Sequence, residues 1–110
     1  MEPKPGSFVS SANTTEWEAD PEVPGTEMHE LVHADGLNAG FSRYTEASEP
    51  LTWTPETREI AYVIEGSVRI EFGDGTSVEL GPGDLFSIPP GLETKWHITP
   101  PFTEAWVLGR

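Results

Sequence analysis

The sequence predicts an all-β domain built from short strands, arranged as a sandwich or barrel. Three observations lead there. Eleven glycines and eleven prolines punctuate a chain of 110 residues, which favours many turns over long helices. Apolar and polar residues alternate with period two, most clearly where Arg69 and Glu71 separate Val68, Ile70 and Phe72, as on a half-buried strand. No segment sustains a helical period, and strand-like blocks recur about every eight to twelve residues.

Residues 1–26 are rich in proline, serine, threonine and glutamate and read as an extended arm. Phe8, Val9 and Trp17 are its apolar points, suited to pinning it to the barrel or to a second subunit. Residues 27–110 form the folded domain. Met28–Ala34 and Phe41–Thr45 read as strands flanking the turn-rich segment 34–40, and a loop at 46–50 leads to Leu51–Thr54. Ile60–Ile64 is too short for a typical helix and rich in β-branched and aromatic residues. Gly66 ends that run. Gly73-Asp74-Gly75 signals a hairpin, with Val78–Leu80 returning and Gly81–Asp84 turning again. Leu85–Ile88 is stopped by Pro89-Pro90-Gly91, and Trp96–Thr99 and Thr103–Leu108 close the series.

The formal net charge is -13, from nineteen acidic and six basic residues. Such a surface keeps a small protein in solution and repels phosphate backbones and anionic bilayers, which argues against nucleic-acid and membrane partners. The absence of cysteine excludes disulfides, thiolate metal sites and cysteine nucleophiles. The first residues lack the basic region and apolar run of a signal peptide, and no stretch has the length of a membrane span. A cytoplasmic location is expected.

Glu59 followed by six residues and Gly66, then Gly83 followed by five residues, Pro89, one residue and Gly91, resemble the two linked motifs of the cupin superfamily. The resemblance covers residues 40–108 and implies a double-stranded β-helix, the RmlC-like jelly-roll barrel. It puts Gly66 and Gly83 where the chain reverses between strands, and Pro89 and Gly91 where a strand ends at the pocket mouth. Trp96, Ile98 and the closing Trp106-Val107-Leu108 resemble one branch in particular. It holds the short single-domain cupins related to the ethanolamine-utilisation and ureidoglycine aminohydrolase-like cupins, mostly of unknown function.

Cupins typically hold a divalent metal with three histidines and one glutamate. The resemblance places the glutamate at Glu59, the first two histidines at Thr52 and Thr54 or at Trp53 and Pro55, and the third at Thr94. None of these is histidine. Imidazole supplies most of the ligand field for a transition metal, and threonine hydroxyls are weak neutral donors. No tightly held metal or other cofactor is therefore expected. Alternation sets Thr94 and Trp96 on one strand face, so the indole would fill the vacated space. Glu59 would then be an inward carboxylate needing a raised pKa or a basic partner. Arg43 is nominated as that partner, because Lys95 lies opposite Trp96. Tyr62 falls on the other face from Glu59.

His29-Glu30-Leu31-Val32-His33 matches the His-Glu-x-x-His zinc motif. On a helix its histidines would sit about 6 Å apart and could share an ion, with Glu30 as general base. The flanking turn residues leave room for barely two helical turns, and Ala39 occupies the third-ligand position of the longer motif. In a strand, residues four apart are about 13 Å apart, so the match reads as chance. His97, beside Trp96 on the opposite face, reads as a surface or packing residue.

The expected function is binding of a small polar or carboxylate metabolite in a pocket lined by Arg43, Thr52, Thr54, Glu59, Thr94 and Trp96. Arg43 would clamp a ligand carboxylate and Trp96 would form a flat apolar wall. One alternative is a metal-free isomerase or lyase with Glu59 as base. Another is a non-catalytic partner or regulatory subunit. A homodimer, formed by sheet packing and exchange of residues 7–17, is expected.

Overall fold

The computed structural model describes residues 2–21, 23, 25–46 and 49–109. Residues 1, 22 and 24 of the arm, residues 47 and 48 of the loop read at 46–50, and residue 110 lie outside the described residues. Every regular element among the described residues is a strand: β1 (Glu18–Ala19), β2 (Thr26–Ala34), β3 (Leu37–Tyr44), β4 (Leu51–Trp53), β5 (Glu59–Phe72), β6 (Ser77–Leu80), β7 (Leu85–Ile88) and β8 (Thr94–Gly109). No helix among the described residues is long and apolar enough to cross a membrane.

Two long strands organise the jelly roll. The second half of β8 pairs with β3 on one side and with the start of β5 on the other. The first half of β8 lies between β4 and the end of β5. Thus β5 and β8 pass together from one layer into the other. The first layer runs β1-β2-β3-β8-β5-β7 and the second β4-β8-β5-β6, all antiparallel.

The crossing point revises the reading of Gly66. The chain does not reverse there, and the blocks read separately at 60–64 and 68–72 are one strand. Likewise 96–99 and 103–108 belong to one strand, running through the cis Pro100–Pro101 bond. Gly66 has φ 82°, and a β-carbon there would overlap the Pro101 carbonyl oxygen. Only glycine lets the two strands bend in contact. The turn read at 34–40 is also shorter than expected. Asp35 and Gly36, with φ 55° and 77°, close β2 onto β3 by themselves, as an Asp-Gly pair does in a primed hairpin turn.

His29 and His33 lie in β2, with a bulge between Glu30 and Val32. Nδ1 of His29 is 3.1 Å from the Glu16 carbonyl, and Nδ1 of His33 is 3.7 Å from Glu30. The helical zinc geometry is therefore absent. His97 bonds the Glu71 carboxylate on the barrel wall, which holds that carboxyl below its ordinary pKa. The arm is tied to its own barrel: β1 pairs with β2, and Trp17 lies under Arg43 with 4.4 Å from guanidinium to ring centroid. Phe8 and Val9 are exposed. Val63, Val68, Ile70, Leu80, Ile88 and Phe102 pack the interior where the two layers meet.

Candidate ligand cavity

A cavity of about 300 Å³ lies between the layers. Ser42 and Tyr44 of β3, Glu59 of β5, and Glu104, Trp106 and Leu108 of β8 line one side. Leu51 and Trp53 of β4 and Trp96 of β8 line the other, and Asp20, Pro21 and Val23 approach over it. Strand alternation explains the choice. Phe102, Glu104 and Trp106 are buried in turn, whereas Thr103, Ala105 and Val107 face outward. Gly40, paired with Trp106, carries no side chain where a β-carbon would stand 3.1 Å from the indole.

The three indole donors that border the cavity are engaged within the protein. Trp53 Nε1 donates to Glu59 Oε1 at 2.5 Å, Trp96 Nε1 to Thr94 Oγ1 at 2.9 Å, and Trp106 Nε1 to Ser42 Oγ at 2.9 Å. Thr94 Oγ1 donates in turn to the Trp53 carbonyl at 2.5 Å. Two residues of the lining each carry an oxygen that is closed off and unpaired. Oε2 of Glu104 and Oδ1 of Asn38 are buried with no hydrogen-bond partner.

Burial raises the pKa of Glu59, opposed by the Trp53 hydrogen bond. Glu104 is pushed up to about 8, first by burial and then by the charge of Glu59. Tyr44 is raised as well, by burial and then by the charges of Glu104, Asp20 and Glu59.

The residues read from the sequence divide into two groups. Glu59 and Trp96 border the cavity, and Thr94 is buried behind Trp96. Thr52 and Thr54 are exposed, and the inward positions of that segment are Trp53 and the buried Pro55. Arg43 points out of the barrel. Its Nε and Nη2 both lie 2.9 Å from Glu27 Oε1, because Ser42 and Tyr44 take the inward positions of β3. The cation nominated for Glu59 is thus replaced by an indole N–H. Trp53 joins the site at the second of the two ligand pairs that the cupin resemblance left open, and Glu104, Trp106, Ser42 and Asn38 join it without any motif that singles them out as pocket residues.

The metal geometry implied by the cupin resemblance does not fit these donors. Trp53 occupies a ligand position and hydrogen-bonds Glu59 itself, and the Thr94 hydroxyl is engaged on both sides. No cluster of three or more metal-binding side chains occurs among the described residues.

Comparison with known proteins bears on the same region. The EutQ-like cupin domain family matches residues 41–104. Germin-like protein subfamily T member 3 of Arabidopsis thaliana is 36% identical over 95 residues, covering 77% of this chain and 42% of that protein. The chain therefore spans less than half the length of this curated relative. The EutQ protein of Clostridium difficile superposes with a TM-score of 0.66 at 26% identity, over 83% of this chain and 74% of that one. An RmlC-like cupin from Shewanella frigidimarina gives 0.73 at 22% identity, over 91% and 87%.

Proposed function

Because the chain belongs to the EutQ-like cupin domain family, we propose that it is a small-molecule-binding cupin. Its barrel cavity takes a small polar ligand without a tightly held transition metal. The observation that carries this reading is the cavity of about 300 Å³ between the layers, with Glu59, Glu104 and three tryptophans in its lining. Aromatic walls with a few polar groups among them are the usual composition of a small-molecule site.

A screen of small polar metabolites by thermal melting tests the reading. A ligand that binds only the folded state raises the melting temperature, more so as its concentration exceeds its Kd. The effect is expected to vanish in Leu51→Trp, which fills the cavity, and to persist in Arg43→Ala. Stabilisation that survives Leu51→Trp would place the site elsewhere.

Catalysis is a second reading, favoured by the paired carboxyls. Glu104 keeps its proton near neutral pH beside Glu59, an acid and a base in different surroundings. In a metal-free isomerase or lyase, Glu59 would take a proton from the substrate and Glu104 would supply one. A pH–rate profile left unchanged by Glu59→Gln would dispose of that role.

Assembly as a homodimer is favoured by the outer face of the first layer. Tyr62 lies opposite Leu85, Ile60 opposite Val107, and all four are exposed, Leu85 to 67%. A contiguous apolar face of this kind marks an interaction surface. Light scattering of Leu85→Glu is expected to give a monomer where the parent chain gives a dimer. A parent monomer would remove this part of the proposal.

A further inference from the structure

The chain holds two Asp-Gly pairs, Asp35-Gly36 between β2 and β3 and Asp74-Gly75 between β5 and β6. Such a pair can rearrange without an enzyme. The glycine amide nitrogen attacks Cγ of the preceding aspartic acid. An N–Cγ bond forms, and the carboxyl hydroxyl leaves with the amide proton as water. Solvent water then opens the five-membered imide. Opening at Cγ restores aspartate, whereas opening at the main-chain carbonyl leaves the chain running through the side chain, as isoaspartate. Glycine favours the reaction because it has no side chain to obstruct the nitrogen and its backbone turns freely.

Both pairs are exposed, so exposure does not rank them. Their bonding does. Thr76 donates to Asp74 Oδ1 from its backbone nitrogen at 3.0 Å and from Oγ1 at 2.6 Å. These bonds hold the carboxyl below its ordinary pKa, so less of it is in the protonated form that loses water. The Gly75 nitrogen is occupied as well, donating to the Phe72 carbonyl at 3.1 Å. Electrophile and nucleophile are thus both restrained. At Asp35 neither is. Its carboxyl makes no hydrogen bond or ion pair among the described residues, and the Gly36 nitrogen donates to no backbone carbonyl there. Among the described residues Asp35 is also the one non-glycine position with positive φ, 55°, a conformation held against the preference of an L-residue.

We propose that Asp35 is a site of spontaneous isoaspartate formation and that Asp74, with the same neighbour, is protected. The position makes the change consequential. Isoaspartate adds one atom to the backbone of a two-residue turn that needs positive φ at both of its positions. The β2–β3 ladder starts directly beside that turn, with Ala34 opposite Leu37 and His33 opposite Asn38, and Asn38 lines the cavity.

The full chain is kept for weeks at neutral pH and body temperature, either folded or in concentrated urea, and then digested with trypsin. The two sites fall in separate peptides, ending at Arg43 and at Lys95. Electron-transfer fragmentation gives backbone ions specific to isoaspartate. In the folded chain isoaspartate is expected at Asp35, and at least about tenfold less at Asp74, where hydrogen bonds must break first. In urea the two sites should react at similar rates. Thr76→Val is expected to raise the yield at Asp74 in the folded chain and to leave Asp35 unchanged. An aged parent chain is expected to melt lower than a fresh one. Aged Asp35→Glu should melt as it did when fresh, because glutamate would have to close a six-membered ring. Equal yields at the two sites in the folded chain, or reaction at Asp35 in urea alone, would overturn the proposal. No gain at Asp74 in Thr76→Val would refute its protection by those bonds. An equal loss of melting temperature in Asp35→Glu would refute the damage to the hairpin.

Discussion

Along β5 the inward side chains change character within a few residues. Glu59 borders the cavity, whereas Val63, Val68 and Ile70 lie in solid apolar packing. β8 repeats the contrast, with Phe102 in the packed region and Glu104 and Trp106 two and four residues further on beside the cavity. The same strand pair thus serves a packed region and a hollow one. The packed region gains stability from close contact of side chains. The hollow region gives some up, since it keeps two carboxyl groups away from water and leaves one oxygen unpaired. That difference is expected of a barrel in which one part maintains the fold and another is shaped for a ligand.

The largest effect should come from breaking the packed region. Phe102 is fully buried, with its ring 5.7 Å from that of Tyr44. Phe102→Ala is expected to cost about 3–5 kcal/mol in urea unfolding, the usual penalty for emptying an aromatic core site. A cost below about 1 kcal/mol would mean that the region called packed can collapse, and the contrast would fail.

A smaller effect, opposite in sign, should appear in the hollow region. Glu104 rises from an ordinary 4.5 to about 8 in the folded chain, so between those values the native state holds a proton that the unfolded state has released. Stability from this group is therefore fully present below about 4.5, falls as pH rises, and levels off above about 8. The loss should amount to a few kcal/mol, since a tenfold change in proton affinity is worth about 1.4 kcal/mol. Glu104→Gln is expected to flatten this portion of the pH–stability curve and to melt higher than the parent at pH 8. An unchanged slope would show that Glu104 is solvated.

Trp53→Phe sharpens the comparison on the opposite wall. It removes the donor to Glu59 while keeping an aromatic ring. The expected cost is about 1–3 kcal/mol near neutral pH, with the Glu59 carboxyl titrating higher than in the parent by carbon-detected NMR. No movement of that titration would show that burial alone sets it.

How much of this can be read from sequence follows from how each strand encodes its faces. Val68, Ile70 and Phe72 alternate with Arg69 and Glu71, so their orientation is legible, and Thr94 with Trp96 shares the buried face expected of them. The three residues of β4 carry too short a pattern to fix which face is inward; the sequence accordingly points to Thr52 and Thr54, one step away from Trp53 and Pro55. Glu104 stays hidden for another reason. Ala105 and Val107 give β8 an apolar outer face as well, so alternation there does not distinguish inside from outside. The continuity of β5 and β8 is concealed by Gly66 and Pro100-Pro101, residues that end strands elsewhere and here mark a shared bend.

Arg43 makes the smallest predicted effect and the most direct test of inside against outside. Nothing in the sequence links the parity of β3 to that of Glu59, because the relation is set by pairing across β8. In the fold the guanidinium is more than a third exposed, paired with Glu27 and stacked on Trp17. Solvent screens the ion pair, leaving about 0–1 kcal/mol, and the stacking adds about 0.5–1 kcal/mol. Arg43→Ala should therefore lower stability by about 1 kcal/mol in urea unfolding, loosen the arm toward proteolysis near Trp17, and leave the affinity of a cavity ligand found in the melting screen unchanged. A change of more than about tenfold in that affinity would put Arg43 in communication with the cavity and blur the boundary between the barrel's two surfaces.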